Sequence, residues 1–214
     1  VDRRQRQMCI RDSNQDDAKA SAARDNMNRE IQAAGLTLVG WRKVPIDTSV
    51  LGQLALERLP QIEQVFISAD GLSDQEFAIK LFCARRRSSV ANAADTEHYI
   101  CSFSHKTIIY KGLMMPADLQ QFYPDLGDER LQTAICVFHQ RFSTNTLPKW
   151  PLAQPFRFLA HNGEINTITG NRNWAQARRT KFENGQIPAL DELGPLVNRV
   201  GSDSSSMDNI CLLY

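Results

Sequence analysis

Between His139 and Asn173 the chain reads HQRFSTNTLPKWPLAQPFRFLAHNGEINTITGNRN, and groups able to hold a small molecule gather there behind two apolar runs. AICVF (134–138) ends in His139-Gln140-Arg141, and FRFLA (156–160) ends in His161-Asn162-Gly163-Glu164. A guanidinium such as Arg141 beside a buried run needs a partner. Its planar fork suits a bidentate carboxylate, either of a ligand or of a structural Asp or Glu. Asn162-Gly163 after a strand makes a turn with positive φ. The same pair can form an oxyanion hole, because glycine admits a carbonyl close to its N–H and the asparagine amide adds a second donor. Losing one such donor typically costs ~2.7–4 kcal/mol of transition-state stabilisation. Glu164 reads either as an acid/base group or as a helix-start carboxylate. Neither His139 nor His161 has a second ligand at metal spacing, so packing or hydrogen bonding to the backbone is expected of both. Gly163 and Gly170 form no GxGxxG or Walker loop.

Far along the chain, Gly201-Ser-Asp-Ser-Ser-Ser-Met-Asp208 reads as the N-cap of a terminal helix, or as a segment whose Asp203 grips an ammonium group. With Arg141 and Asp203 at its two ends, an α-amino acid would place its side-chain carbonyl beside the Asn162-Gly163 donors.

The elements that must position these groups follow from periodicity and punctuation. A helix is predicted over Asp16–Ala34 with Gly35 as its stop, a strand over Leu36–Val44, a short helix over Ser49–Leu59 and a strand over Ile62–Ser68. Ser73-Asp-Gln-Glu76 has capping-box spacing and opens a helix that ends at Arg85-Arg86-Arg87, a basic run expected on a solvated face. His98–Phe103 and Thr107–Leu113 read as a hairpin around Ser104-His105-Lys106, and 117–130 as helical and turn-like. AICVF and FRFLA read as buried strands, and Trp174–Phe182 as a helix. Loose alternation with short turns favours a mixed α/β (α+β) sheet in one domain.

With 214 residues, 42% hydrophobic and 23% charged, the composition is that of an ordinary globular domain. A net charge of +1 supplies no argument for nucleic acid or an anionic membrane. No apolar run approaches the roughly 20 residues that cross a bilayer. Five scattered cysteines without a CxxC pair fit reduced thiols in a cytoplasmic setting, with Cys101 and Cys136 as small core residues. Residues 1–13, VDRRQRQMCIRDS, match nothing that follows; they resemble translated adapter sequence and are set apart, as are 211–214, leaving 14–210 as a partial domain.

HQRFSTNTLPKWPLAQPFRFLAHNGEINTITGNRNWA, with GWRKVP at Gly40–Pro45, YKGLMMPADL at Tyr110–Leu119 and GSDSSSMDN at Gly201–Asn209, resembles the class II glutamine amidotransferase domain of bacterial glutamate synthase large subunits. The likeness runs from about Ala18 to Asn209. It implies an N-terminal-nucleophile hydrolase fold, a four-layer αββα sandwich, here incomplete at both ends. In such domains an N-terminal cysteine attacks the glutamine amide, and its own α-amine, with a pKa near 7.7–8.0, serves as base. The resemblance implies Asn162 and Gly163 as the oxyanion hole, Arg141 on the glutamine α-carboxylate, Asp203 on the α-ammonium, and Thr144 and His161 lining the pocket. It further implies ammonia transfer to a synthase domain of the same full-length chain, where 2-oxoglutarate forms an imine that is reduced at FMN. An iron–sulfur cluster (3Fe-4S) and a small subunit carrying FAD and NADPH complete the electron path, and no cofactor is implied in this segment. One departure stands out: the family's Cys-Gly-(Val/Phe)-Gly nucleophile segment does not occur, and Cys9 is followed by Ile-Arg-Asp. The chain as written is therefore expected not to hydrolyse glutamine, the alternative being a non-catalytic module that senses glutamine.

Overall fold

Local signals in the first hundred residues produce a four-stranded antiparallel sheet covered by two helices. The computed structural model describes residues 11–13, 17–142, 146–178, 193–197, 199 and 201–213. Strands β1 (Arg11–Ser13), β2 (Thr37–Lys43), β3 (Gln61–Ser68) and β4 (Tyr99–Ile100) lie in the order β2-β3-β1-β4. β2 pairs with β3 from Thr37↔Ser68 to Lys43↔Glu63, with one irregularity between Leu38 and Gly40. β1 pairs with both β3 and β4, so the last three residues of the set-apart 1–13 segment form a strand inside the sheet.

Helix α1 (Asp17–Ala33) stops where Gly35 takes φ +68°, a left-handed conformation that glycine adopts without strain. Short helix α2 (Gln53–Leu56) follows, and α3 (Asp74–Ala91) opens with the capping box, Ser73 and Glu76 bonding each other reciprocally. Met27 and Ile31 of α1 and Phe77, Leu81 and Ala84 of α3 pack against Val65 and Ile67 of β3. The opposite face is covered too. Ile62 joins Val44, Leu51, Ala55, Cys101, Trp150 and the Phe122–Tyr123 pair that ends α4 (Leu119–Phe122). Burial of both faces explains why β3 lacks a clean in-out alternation.

Several expectations give way. Arg85 and Arg86 are buried rather than solvated, because α3 continues past them and the Arg86 guanidinium donates to the carbonyls of Leu193 and Pro195. Burial, reinforced by the neighbouring charge of Arg157, lowers Arg86 to about 10. Of the 98–113 hairpin only Tyr99–Ile100 is strand, and it pairs with β1 instead of its sequence neighbour. AICVF and FRFLA form no strand: among the described residues neither has a ladder partner, and Ile135, Val137 and Phe138 are exposed. Periodicity selects a face, but a strand exists only where another backbone pairs with it. Cys136 is exposed with that segment, whereas Cys101 is core. Helix α5 spans Ile168–Ala177, starting before Trp174, and α6 spans Asp203–Leu213, reaching into the set-apart 211–214 tail.

Gly112 links fold to site. A methyl built on it would lie 2.5 Å from both the Met114 side chain and the indole of buried Trp150, whose segment leads into the 154–165 stretch. Gly112→Ala is expected to cost about 1–3 kcal/mol of stability through overpacking, read as a lower urea midpoint. A native-like midpoint would show that the Trp150 contact does not constrain the fold.

Candidate functional site

From Trp150 the chain returns over the core, held by side chains distant in sequence. The buried Lys111 ammonium donates to Pro151 O and Ala153 O, both at 2.9 Å. It also lies 4.9 Å and 5.0 Å from the ring centroids of Tyr99 and Phe156, a cation–π arrangement. Buried Gln154 spends both ends of its carboxamide on the main chain of His161: Nε2 donates to the carbonyl at 2.6 Å, and Oε1 accepts the N–H at 2.7 Å. Asp208 Oδ2 accepts from Arg157 Nε at 2.7 Å, and Oδ1 accepts the Phe158 N–H at 2.8 Å.

Helix α6 supplies the other wall. The Ser202 hydroxyl accepts the Ser205 N–H at 3.2 Å, an N-cap bond. Ser204 Oγ donates to His161 O at 2.9 Å, and Asp203 Oδ2 accepts the Ile165 N–H at 3.3 Å. Arg172 of α5 donates to Ser206 Oγ and to Gly201 O, tying α5 to the cap of α6. The 154–165 stretch is thereby laid across the N-terminal half of α6.

The first polar cluster joins through His139. Its Nδ1 accepts the Arg141 N–H at 3.1 Å, and its Nε2 meets Asn162 Oδ1 at 3.2 Å. His161 behaves similarly, its Nδ1 accepting the Gly163 N–H at 2.9 Å. Both imidazoles therefore serve backbone N–H groups. Gly163 is buried at φ +81°, where glycine is at ease.

Of the residues singled out from sequence, Arg141, His139, Asn162-Gly163 and Asp203 are linked by three hydrogen bonds and the chain between them: Arg141 N–H to His139, His139 to Asn162, and, three residues on, Ile165 N–H to Asp203. Arg141, His161, Asn162 and Glu164 are exposed and Asp203 is half-buried; Thr144 and Cys9 lie outside the described residues. Among the described residues the Arg141 guanidinium takes no carboxylate partner, and Asp203 Oδ1 and Asn162 Nδ2 are uncommitted. A fork, an anionic oxygen and an amide donor are left for a ligand, while the Gly163 N–H is occupied by its own neighbour. Sequence reading missed Ser204 and Asp208, whose partners lie far along the chain, and Gln154, which closes a local loop onto the main chain of His161, and gave His139 no place in the site. A cavity of about 670 Å³, lined by Arg172, Asn173, Gln176, Pro195, Leu196 and Arg199 among others, includes none of Arg141, Asn162, Gly163 and Asp203. Among the described residues no three His, Cys, Asp or Glu side chains converge as metal ligands, and no helix is long and apolar enough to cross a membrane.

The sequence pattern of the family described as glutamine amidotransferases class-II matches residues 3–214. The glutamate synthase [NADPH] large chain of Azospirillum brasilense is 44% identical over 193 residues, covering 88% of this chain and 13% of that protein. Ferredoxin-dependent glutamate synthase 2 of Synechocystis is 41% identical over 198 residues, covering 91% and 13%. Glutamate synthase [NADH] of Saccharomyces cerevisiae is 38% identical over 182 residues, covering 82% and 8%. The chain spans about an eighth or less of the length of these relatives. With a family pattern running nearly end to end, the chain belongs to the class II glutamine amidotransferases.

Proposed function

We propose that this chain is the glutaminase portion of a glutamate synthase and that its site binds L-glutamine. Arg141 holds the α-carboxylate as a bidentate fork, and Asp203 Oδ1 holds the α-ammonium. The side-chain carbonyl meets Asn162 Nδ2 and, once the exposed His161 ring turns aside, the Gly163 N–H. His161 completes the described lining, and the family likeness adds Thr144 as a ligand-binding residue. The observation that carries this reading is the path from Arg141 to Asp203, which leaves a cation, an anion and an amide donor unused by the protein on the segments that share it.

In this reading the sheet and its helices belong to a four-layer αββα sandwich of the N-terminal-nucleophile type. In the longer parent, ammonia released from glutamine passes to the synthase portion for reductive transfer to 2-oxoglutarate, giving L-glutamate. The described cysteines lie apart: Cys83 and Cys101 sit in separate core clusters, Cys136 on an exposed segment and Cys211 on α6. By the family likeness the FMN and iron–sulfur centre are assigned to the synthase portion and FAD to a small subunit. The relatives' names specify three different electron donors, NADPH, ferredoxin and NADH, so the donor is not set by the features they share with this chain.

The clamp is tested by calorimetry with L-glutamine on the 214-residue chain. Arg141→Ala and Asp203→Asn are each expected to weaken binding about 10- to 100-fold, the range for a hydrogen bond to a charged group; the asparagine keeps an acceptor for the Ile165 N–H. Unchanged affinity in both variants removes the assignment. A second expectation concerns chemistry. Without the Cys-Gly nucleophile segment, the purified chain should release no ammonia from glutamine above the rate of a Cys9→Ala variant, and robust release abolished by that substitution would refute it.

A further inference from the structure

Building on the glutamine reading, we propose that His139 is a positioning residue that turns the Asn162 carboxamide toward the substrate's side-chain carbonyl and couples it to the segment carrying Arg141. His139 Nδ1 accepts the Arg141 N–H, so the ring hydrogen sits on Nε2 and is donated to Asn162 Oδ1. With Oδ1 engaged, the exposed carboxamide presents Nδ2 and its two hydrogens to a ligand. A carboxamide free to rotate can equally present its oxygen, which repels a substrate carbonyl and forfeits the donor.

The stretch carrying Arg141 forms no strand, and its apolar side chains Ile135, Val137 and Phe138 are exposed. One ring nitrogen grips the backbone of Arg141 and the other grips the side chain of Asn162. A single imidazole therefore ties the backbone of the residue assigned to the α-carboxylate to the side chain assigned to the side-chain carbonyl. No other residue with a described bond touches both.

The test compares L-glutamine with L-norvaline, which keeps the α-groups and methylene stem but carries a methyl in place of the carboxamide. Binding is measured by calorimetry on the 214-residue chain and on His139→Asn and His139→Gln. Asparagine can still accept the Arg141 N–H in an Asx turn but does not reach Asn162, whereas glutamine extends an amide donor toward it. The expected result is that His139→Asn loses about 3- to 10-fold in its preference for glutamine over norvaline, the scale of one neutral hydrogen bond. Norvaline affinity stays unchanged, and His139→Gln recovers most of the loss. If the unaltered chain prefers glutamine and both variants keep that preference, the role of His139 is overturned while the glutamine site stands. Equal weakening toward both ligands also overturns it, since that marks general support of the segment. If the unaltered chain shows no preference for glutamine, the site reading fails and this one with it. Imidazole nitrogen shifts of the unaltered chain provide a check independent of variant folding: the Nε2–H tautomer is expected for His139, and the Nδ1–H tautomer contradicts the proposal.

Discussion

A buried carboxylate holds this site together. Asp208 is wholly removed from solvent, and such a charge is tolerated only when its oxygens are fully engaged. Arg157 meets it at 2.5 Å and the Phe158 N–H takes its other oxygen, so one turn of α6 fixes two consecutive residues of an otherwise irregular stretch. Everything downstream inherits that register: Ser204 reaches His161, and Asp203 reaches Ile165. Helix α6 is therefore more than the bearer of Asp203. It is the surface against which the Asn162-Gly163 turn is set.

A division of labour follows between buried groups that fix backbone and exposed groups left for a ligand. Gln154 and Lys111 satisfy main-chain groups across loops with no ladder of their own, doing for irregular backbone what a neighbouring strand does in a sheet. Arg141, Asn162 and His161 lie outward on the scaffold so built. The weakest link is the Arg141 segment, whose exposed apolar side chains contribute little packing. Its tie to Asn162 runs through His139, which meets the Arg141 backbone with one ring nitrogen and the Asn162 carboxamide with the other.

Much of this was legible from sequence where the cause is local. The α1 stop at Gly35, the Ser73–Glu76 capping box and the edges of β2 and β3 arise from residues within a few positions of one another, and the structure has them nearly as read. The chemistry-bearing types at the site were legible for the same reason: a guanidinium, an Asn-Gly pair and a capped acidic segment announce themselves. What failed depended on partners. AICVF has strand character but no strand beside it, and Arg85-Arg86 resembles a solvated run until Leu193 and Pro195 supply carbonyls from more than a hundred residues away. Gln154, Ser204 and Asp208 carry no signal of their own, since each acts on a backbone group that only the fold brings near.

The central claim is that one amino acid spans Arg141, Asn162-Gly163 and Asp203. A crystal structure of the chain grown with L-glutamine tests it most directly. The account predicts the α-carboxylate on the Arg141 fork, the α-ammonium on Asp203 Oδ1 and the side-chain carbonyl within hydrogen-bond reach of Asn162 Nδ2, with the His161 ring turned off the Gly163 N–H. Glutamine bound elsewhere, or His161 still seated on Gly163 beneath a bound ligand, would contradict it.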